Sequence, residues 1–157
     1  MNNKTYLLKY AIDYLSKFSS SKKNLQRILK SKIQRLSKDK KYRFKLYAEL
    51  DFIFDQLEKN NLLNDEDYSY SKIQALADRG KSKIFVKKYL FSKGIESNII
   101  DGQLKNFEIQ NPGWEKKSAQ IFVKKNNLLK SNDIYEKKLA KMARAGFSYD
   151  LCKEILG

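Results

Sequence analysis

Helix-breaking residues are scarce along this chain. Pro112 is the single proline among 157 residues, and the six glycines stand at 80, 94, 102, 113, 146 and 157. Proline ends a helix by removing an N–H donor, and glycine weakens one by its backbone freedom. Between these points apolar residues recur at three- and four-residue spacing, with little sustained alternation. That pattern dictates helices and argues against a sheet. The expected fold class is therefore all-α.

The spacing predicts a first helix over 4–18, carrying Tyr6, Leu7, Tyr10, Ala11, Tyr14, Leu15 and Phe18 on one stripe. Ser21 is placed to cap a second helix over 22–36, with Leu25, Ile28, Leu29 and Leu36 inward. Lys38 to Arg43 reads as a charged link. A third helix over 44–60 buries Leu46, Leu50, Ile53, Phe54 and Leu57, and Asn61 can close it in the left-handed conformation. Asn64 caps a fourth, whose first-turn acids Asp65, Glu66 and Asp67 sit at the positive end of the helix dipole. Gly80 ends that helix and Ser82 caps a fifth, over 83–93.

Gly94-Ile95 reads as a turn in which glycine takes the left-handed position and the next residue folds back onto the helix. A sixth helix occupies 97–110. Asn111-Pro112-Gly113 is the clearest boundary, and Pro112 can open a seventh helix that ends near Asn126-Asn127. Ser131 or Asn132 caps an eighth. Gly146-Phe147 repeats the ending at Gly94-Ile95, and Ser148 caps a short ninth.

Nine helices fall into threes. "YLFSKGIESNII" at 89–100 and "KMARAGFSYDLC" at 141–152 share the order helix, Gly, hydrophobic residue, polar cap, helix, with their glycines 52 residues apart. A period near 50 points to an elongated array of three tandem three-helix units, at 1–61, 62–110 and 111–157. An irregular bundle with similar short turns is the other arrangement this pattern allows.

Lys plus Arg number 33 and Asp plus Glu 18, a formal charge of +15. Solubility needs far less, so a polyanionic or acidic-faced partner is implied. From Lys17 to Lys45 the chain carries twelve cations and one acid, Asp39. Lys23, Arg27 and Lys30 share a helix face there. A second basic group is Arg79, Lys81, Lys83, Lys87 and Lys88. A third is Lys124, Lys125, Lys137, Lys138, Lys141 and Arg144. Such groups can follow a phosphate backbone, and charged residues also occupy the outside of any helical protein.

Several chemistries are excluded. The sequence has no histidine, which removes His-based triads and zinc hydrolase sites. Cys152 is alone, so neither an intrachain disulfide nor a cysteine metal cluster can form, and it sits on an apolar stripe. No phosphate-binding loop, nucleophile elbow or supported carboxylate pair occurs. No catalytic residue, cofactor or metal is expected. No stretch nears the ~20 apolar residues that span a bilayer, and no signal peptide is visible, so a cytoplasmic location is expected.

The stretch "LEKNNLLNDEDYSYSKIQALADRGKSKIFVKKYLFSKGI", residues 57–95, resembles the centre of RecX proteins, bacterial regulators of the recombinase RecA. The likeness rests on Leu62, Leu63, Asn64, Asp65, Tyr68, Arg79, Gly80, Leu90, Lys93, Gly94 and Ile95. "KKLAKMARAGFSYDLCKEIL", residues 137–156, is similar to the family's closing segment through Lys138, Leu139, Arg144, Gly146, Phe147, Ser148 and Leu156. Asn61 and Lys32 stand where the family often has Gly. The resemblance implies three tandem three-helix units that bind the RecA filament and mostly restrain it, with direct contact to single- or double-stranded DNA in some members. It further implies a monomer and no enzymatic activity. Carried over, Arg79, Lys83, Lys87 and Lys88 would contact the filament, and Lys138, Lys141 and Arg144 are further candidates. A general nucleic-acid-binding helical module without filament preference is the competing expectation, with Lys23, Arg27 and Lys30 in the contact.

Overall fold

The computed structural model describes residues 2–157, and all regular structure among them is helical. Ten helices follow in order: α1 (Asn3–Lys17), α2 (Lys22–Leu36), α3 (Lys40–Ala48), α4 (Leu50–Lys59), α5 (Asp65–Asp78), α6 (Lys83–Ser92), α7 (Ser97–Gln110), α8 (Trp114–Lys125), α9 (Tyr135–Arg144) and α10 (Tyr149–Leu156). The chain gathers into two compact units. One runs to Tyr68 and includes Lys93–Ile95, and the other holds Ser69–Ser92 and Glu96–Gly157.

The expected third helix is two helices, broken at Glu49. The charged link is shorter than the sequence suggested. Asp39 caps α3 by accepting the Lys41 N–H at 3.1 Å, so Lys40 to Arg43 are helical. The Arg43 guanidinium donates to the Ser37 carbonyl and, at 2.8 Å, to the Gln34 carbonyl, which fastens the start of α3 to the end of α2.

In the first unit Leu7, Ala11, Leu25, Leu29, Ile33, Leu46, Leu50, Ile53, Phe54, Leu57 and Leu63 form the core. Ile33 supplies the inward position expected of Leu36, which is exposed in the last turn of α2. Phe18 also lies outside, against the Tyr14 ring at 5.1 Å. Lys32 holds its ammonium 5.0 Å from the Tyr10 ring centre. In the second unit Ala119, Val123, Leu128, Met142, Phe147 and Cys152 pack together. There Tyr70, Phe107 and Trp114 meet edge to face in sequence, with centroids 5.5 Å apart at each step.

The caps follow the sequence at most ends. The side chains of Ser21, Asn64, Ser82 and Ser148 each accept an N–H in the first turn that follows. Two starts differ. Gly113, at φ +72°, precedes Trp114, so Pro112 lies before the helix instead of inside its first turn. The cap position of α9 is Ile134, because the Ser131 hydroxyl is taken by the Asp133 N–H.

Candidate interaction surface

Ser21 and Ser82 do more than cap. Ser82 is fully buried; its hydroxyl accepts the Phe85 N–H at 3.1 Å and donates to the Ala145 carbonyl at 2.7 Å. One residue on, the Lys83 N–H donates to the Glu115 carboxylate at 2.7 Å. The first unit contains the same arrangement. Ser21, also fully buried, accepts the Asn24 N–H at 3.1 Å and donates to the Lys93 carbonyl at 2.6 Å. The Lys22 N–H donates to the Asp65 carboxylate at 2.8 Å. Each set joins a serine cap, the lysine after it, a first-turn acid and the carbonyl that precedes a glycine turn.

Both turns need glycine. At Gly94 (φ +78°) a Cβ would stand 2.5 Å from the Lys23 Cβ, and at Gly146 (φ +99°) it would stand 2.4 Å from the Ser82 Oγ. A side chain there would meet both a disfavoured backbone and a hard contact.

These bonds gather cations. Arg144 precedes Ala145 and Lys83 follows Ser82, so one hydrogen bond brings two of the sequence-derived site residues together. In the first unit the stem of Lys23 lies over Gly94, and Lys22 sits beside it in sequence, bound to Glu58 at 2.6 Å. Arg27 and Lys30 are exposed on the same side of α2 as Lys23, with Arg27 held by the Asn24 side chain at 3.1 Å. The Lys125 ammonium donates to the Arg79 carbonyl at 3.2 Å, which joins the third basic group to the second within one unit.

Helix α6 offers the most developed surface. Val86 and Leu90 face the core, while Lys83, Lys87 and Lys88 are exposed. Ile84, Lys88 and Phe91 follow at four and three residues, so they form one outward line, with Phe91 71% exposed. Against α7 this face opens a groove of about 390 Å³ lined by Lys87, Lys88, Phe91, Ser97, Ile100 and Asp101. Lys87 stands 3.7 Å from Asp101. The α9 residues are less free: Lys138 is half-buried, and Lys141 is paired with Asp133 at 3.1 Å. The Lys141 hydrogen bond is the main reason the Asp133 carboxyl titrates below its ordinary range, with Ser131 adding to it.

Among the described residues no group of three or more His, Cys, Asp or Glu side chains converges to hold a metal. No described helix is long and apolar enough to cross a membrane. Cys152 is enclosed, its Sγ directed at the Phe147 carbonyl at 3.6 Å, and burial pushes its thiol pKa up.

Sequence reasoning found the serine caps and the glycine turns but missed the bonds between them, and it missed Glu115 altogether. It also named the cations of α6 without the exposed Ile84 and Phe91 beside them. A hint was available, since no buried position on α6 needs either residue once Val86 and Leu90 are placed.

No protein-family model matches the chain. Its relatives include the regulatory protein RecX of Myxococcus xanthus, 28% identical over 163 residues that take in 97% of this chain and 84% of that protein. RecX of Streptococcus sanguinis is 33% identical over 102 residues, 64% of this chain and 39% of that protein. RecX of Streptococcus agalactiae serotype III is 30% identical over 105 residues, 66% of this chain and 40% of that protein. The chain thus spans about two fifths of the streptococcal relatives. The fold is similar to the crystal structure of RecX from Lactobacillus salivarius, with a TM-score of 0.66 over 98% of this chain and 94% of that one, at 22% identity. A second crystal structure, of a regulatory protein RecX, gives 0.68 over 97% of this chain and 70% of that one, at 17% identity.

Proposed function

We propose that the chain, similar to RecX of Myxococcus xanthus over 97% of its length and to RecX crystal structures in fold, is a non-enzymatic regulator that docks on RecA–DNA filaments and mostly inhibits the recombinase. The observation that carries this reading is the α6 face, where exposed Lys83, Lys87 and Lys88 stand beside exposed Ile84 and Phe91 over a groove. Cations steer encounter with an anionic filament, and apolar side chains supply contact area that salt does not screen. A surface that served phosphates alone would have no use for the second set.

The matching bond sets at Ser21 and Ser82 support a further part of the proposal, that the helices form tandem three-helix units at 1–61, 62–110 and 111–157. Repeated units would present several modest contacts to a repeating partner, and linked contacts gain strength by effective concentration. Arg79 and Arg144 extend the contact from α6, and Lys138 and Lys141 contribute less. Lys23, Arg27 and Lys30 form the corresponding contact on α2.

The test compares affinity for assembled filament, free recombinase and bare DNA at rising salt, for the intact protein and for Lys83→Glu/Lys87→Glu/Lys88→Glu. Filament is expected to be preferred and to retain binding at higher salt. The triple variant should lose filament affinity and inhibition of ATP hydrolysis while its helicity is unchanged. Equal binding to bare DNA and filament, with a steep salt dependence for both, would instead favour a general nucleic-acid-binding module. Full recombinase activity at saturating protein would defeat the inhibitory reading.

A further inference from the structure

Phe44 is 76% exposed, the most open of the large apolar side chains described. It lies on α3, between Lys40 and Lys41 one turn before it and Lys45 one residue after, all exposed. Leu46 and Leu50 turn to the core, so Phe44 points away from it. Lys38 is exposed just ahead of the helix. Among the described residues no acidic side chain forms an ion pair with Lys38, Lys40, Lys41 or Lys45. Asp39, the acid among them, is occupied by the Lys41 N–H. The platform is anchored, since Arg43 donates to two carbonyls at the end of α2.

We propose that α3 is a single-stranded nucleic-acid contact in which Phe44 stacks on one base and Lys40, Lys41 and Lys45 neutralise the flanking phosphates. An acidic protein segment would satisfy the lysines, but α3 sets a single exposed ring among them where α6 sets Ile84, Phe85 and Phe91, and one ring is little contact area for a protein partner. An unpaired base does, because every base has a face that stacks on an aromatic side chain. Duplex fits less well, since its bases are stacked on one another and only phosphates are offered to a surface like this one. This surface is separate from the α6 face, and its test contains no recombinase, so either proposal can fail without the other.

The experiment measures fluorescence anisotropy of a labelled oligothymidylate and of an abasic oligonucleotide of equal length. Intact protein is expected to bind the oligothymidylate more tightly. Phe44→Ala should weaken that binding about five- to a hundredfold and bring the two probes level. Phe44→Trp should restore the preference, with emission quenched on binding; the native Trp114 is buried and contributes little change. Lys40→Gln/Lys41→Gln/Lys45→Gln should weaken both probes and lower the salt slope by about 2, at ~0.7 per phosphate on a single strand. Equal affinity of the intact protein for the two probes would overturn the proposal. So would Phe44→Ala that leaves the preference intact, or a labelled polyglutamate that binds as well as the oligothymidylate.

Discussion

Replacing Ser82 with alanine tests whether the serine clamp matters as much as its geometry implies. The substitution removes the acceptor for the Phe85 N–H and the donor to the Ala145 carbonyl, both inside a fully buried environment. Loss of a serine cap costs about 1 kcal/mol. Loss of a buried hydrogen bond costs about another 1, and more where the carbonyl left behind finds no water. The expected total is about 2–3 kcal/mol. For a protein of this size that lowers Tm by roughly 5–12 °C. Ser148→Ala provides the comparison. Ser148 is exposed and only caps α10, accepting the Leu151 N–H at 3.3 Å, so its loss is expected to cost about 0.5–1 kcal/mol. Urea titrations followed by circular dichroism measure both. If Ser82→Ala costs no more than Ser148→Ala, the bond to Ala145 contributes nothing and the reasoning fails. Ser21→Ala should fall with Ser82→Ala, because Ser21 makes the equivalent pair of bonds.

Gly146→Ala should destabilise by more than 1 kcal/mol in the same titration, since it meets positive φ and the Ser82 hydroxyl together, whereas Gly102→Ala inside α7 meets no atom within 4 Å and should be neutral or stabilising. Cys152 should resist thiol-modifying reagents in native buffer and react once urea unfolds the chain, as ultraviolet absorbance of the released chromophore would show; prompt native reaction would contradict its enclosure. Asp133 should titrate below the usual aspartate range by NMR, and Lys141→Gln should move it up. Its folded pKa is the lower one, so its contribution to stability is present above the unfolded-state pKa and is lost as pH falls through the folded value.

The helical fold was legible because breakers and caps are local signals. Serine before a helix, asparagine or glycine after one, and apolar residues at helical spacing each act within a few residues. Most boundaries followed from them. The break at Glu49 did not, because no breaker marks it: Leu46, Leu50, Ile53 and Leu57 keep one apolar rhythm across both helices. Leu36 was misplaced because Ile33 and Leu36 both fit the stripe, and only tertiary packing chose between them. Asparagine and serine before α9 looked like caps, yet the Ser131 hydroxyl serves the Asp133 N–H in its own turn. The site was partly legible. Basic side chains must lie outside, so their exposure was foreseeable. Which of them stand free of acids depends on long-range neighbours such as Asp101 opposite Lys87 and Asp133 opposite Lys141.

Helix α6 carries structure and the proposed docking on different atoms. Its first turn is held by the Ser82 hydroxyl and by the backbone N–H of Lys83, so the Lys83 side chain is not needed for the bond to Glu115. The ammonium groups of Lys83, Lys87 and Lys88 are exposed, where reversing charge disturbs stability little unless it breaks a strong pair. Among the described residues the ion pair they make is Lys87 with Asp101, which spans 3.7 Å between side chains that are both well exposed. Charge reversal on this face should therefore separate binding from folding, and Ser82→Ala should not. A charge-reversed protein with its unfolding transition in place and its filament affinity lost would assign the effect to the surface. Loss of both together would mean that the lysine side chains support the fold, and α6 would then no longer stand as an independent docking face.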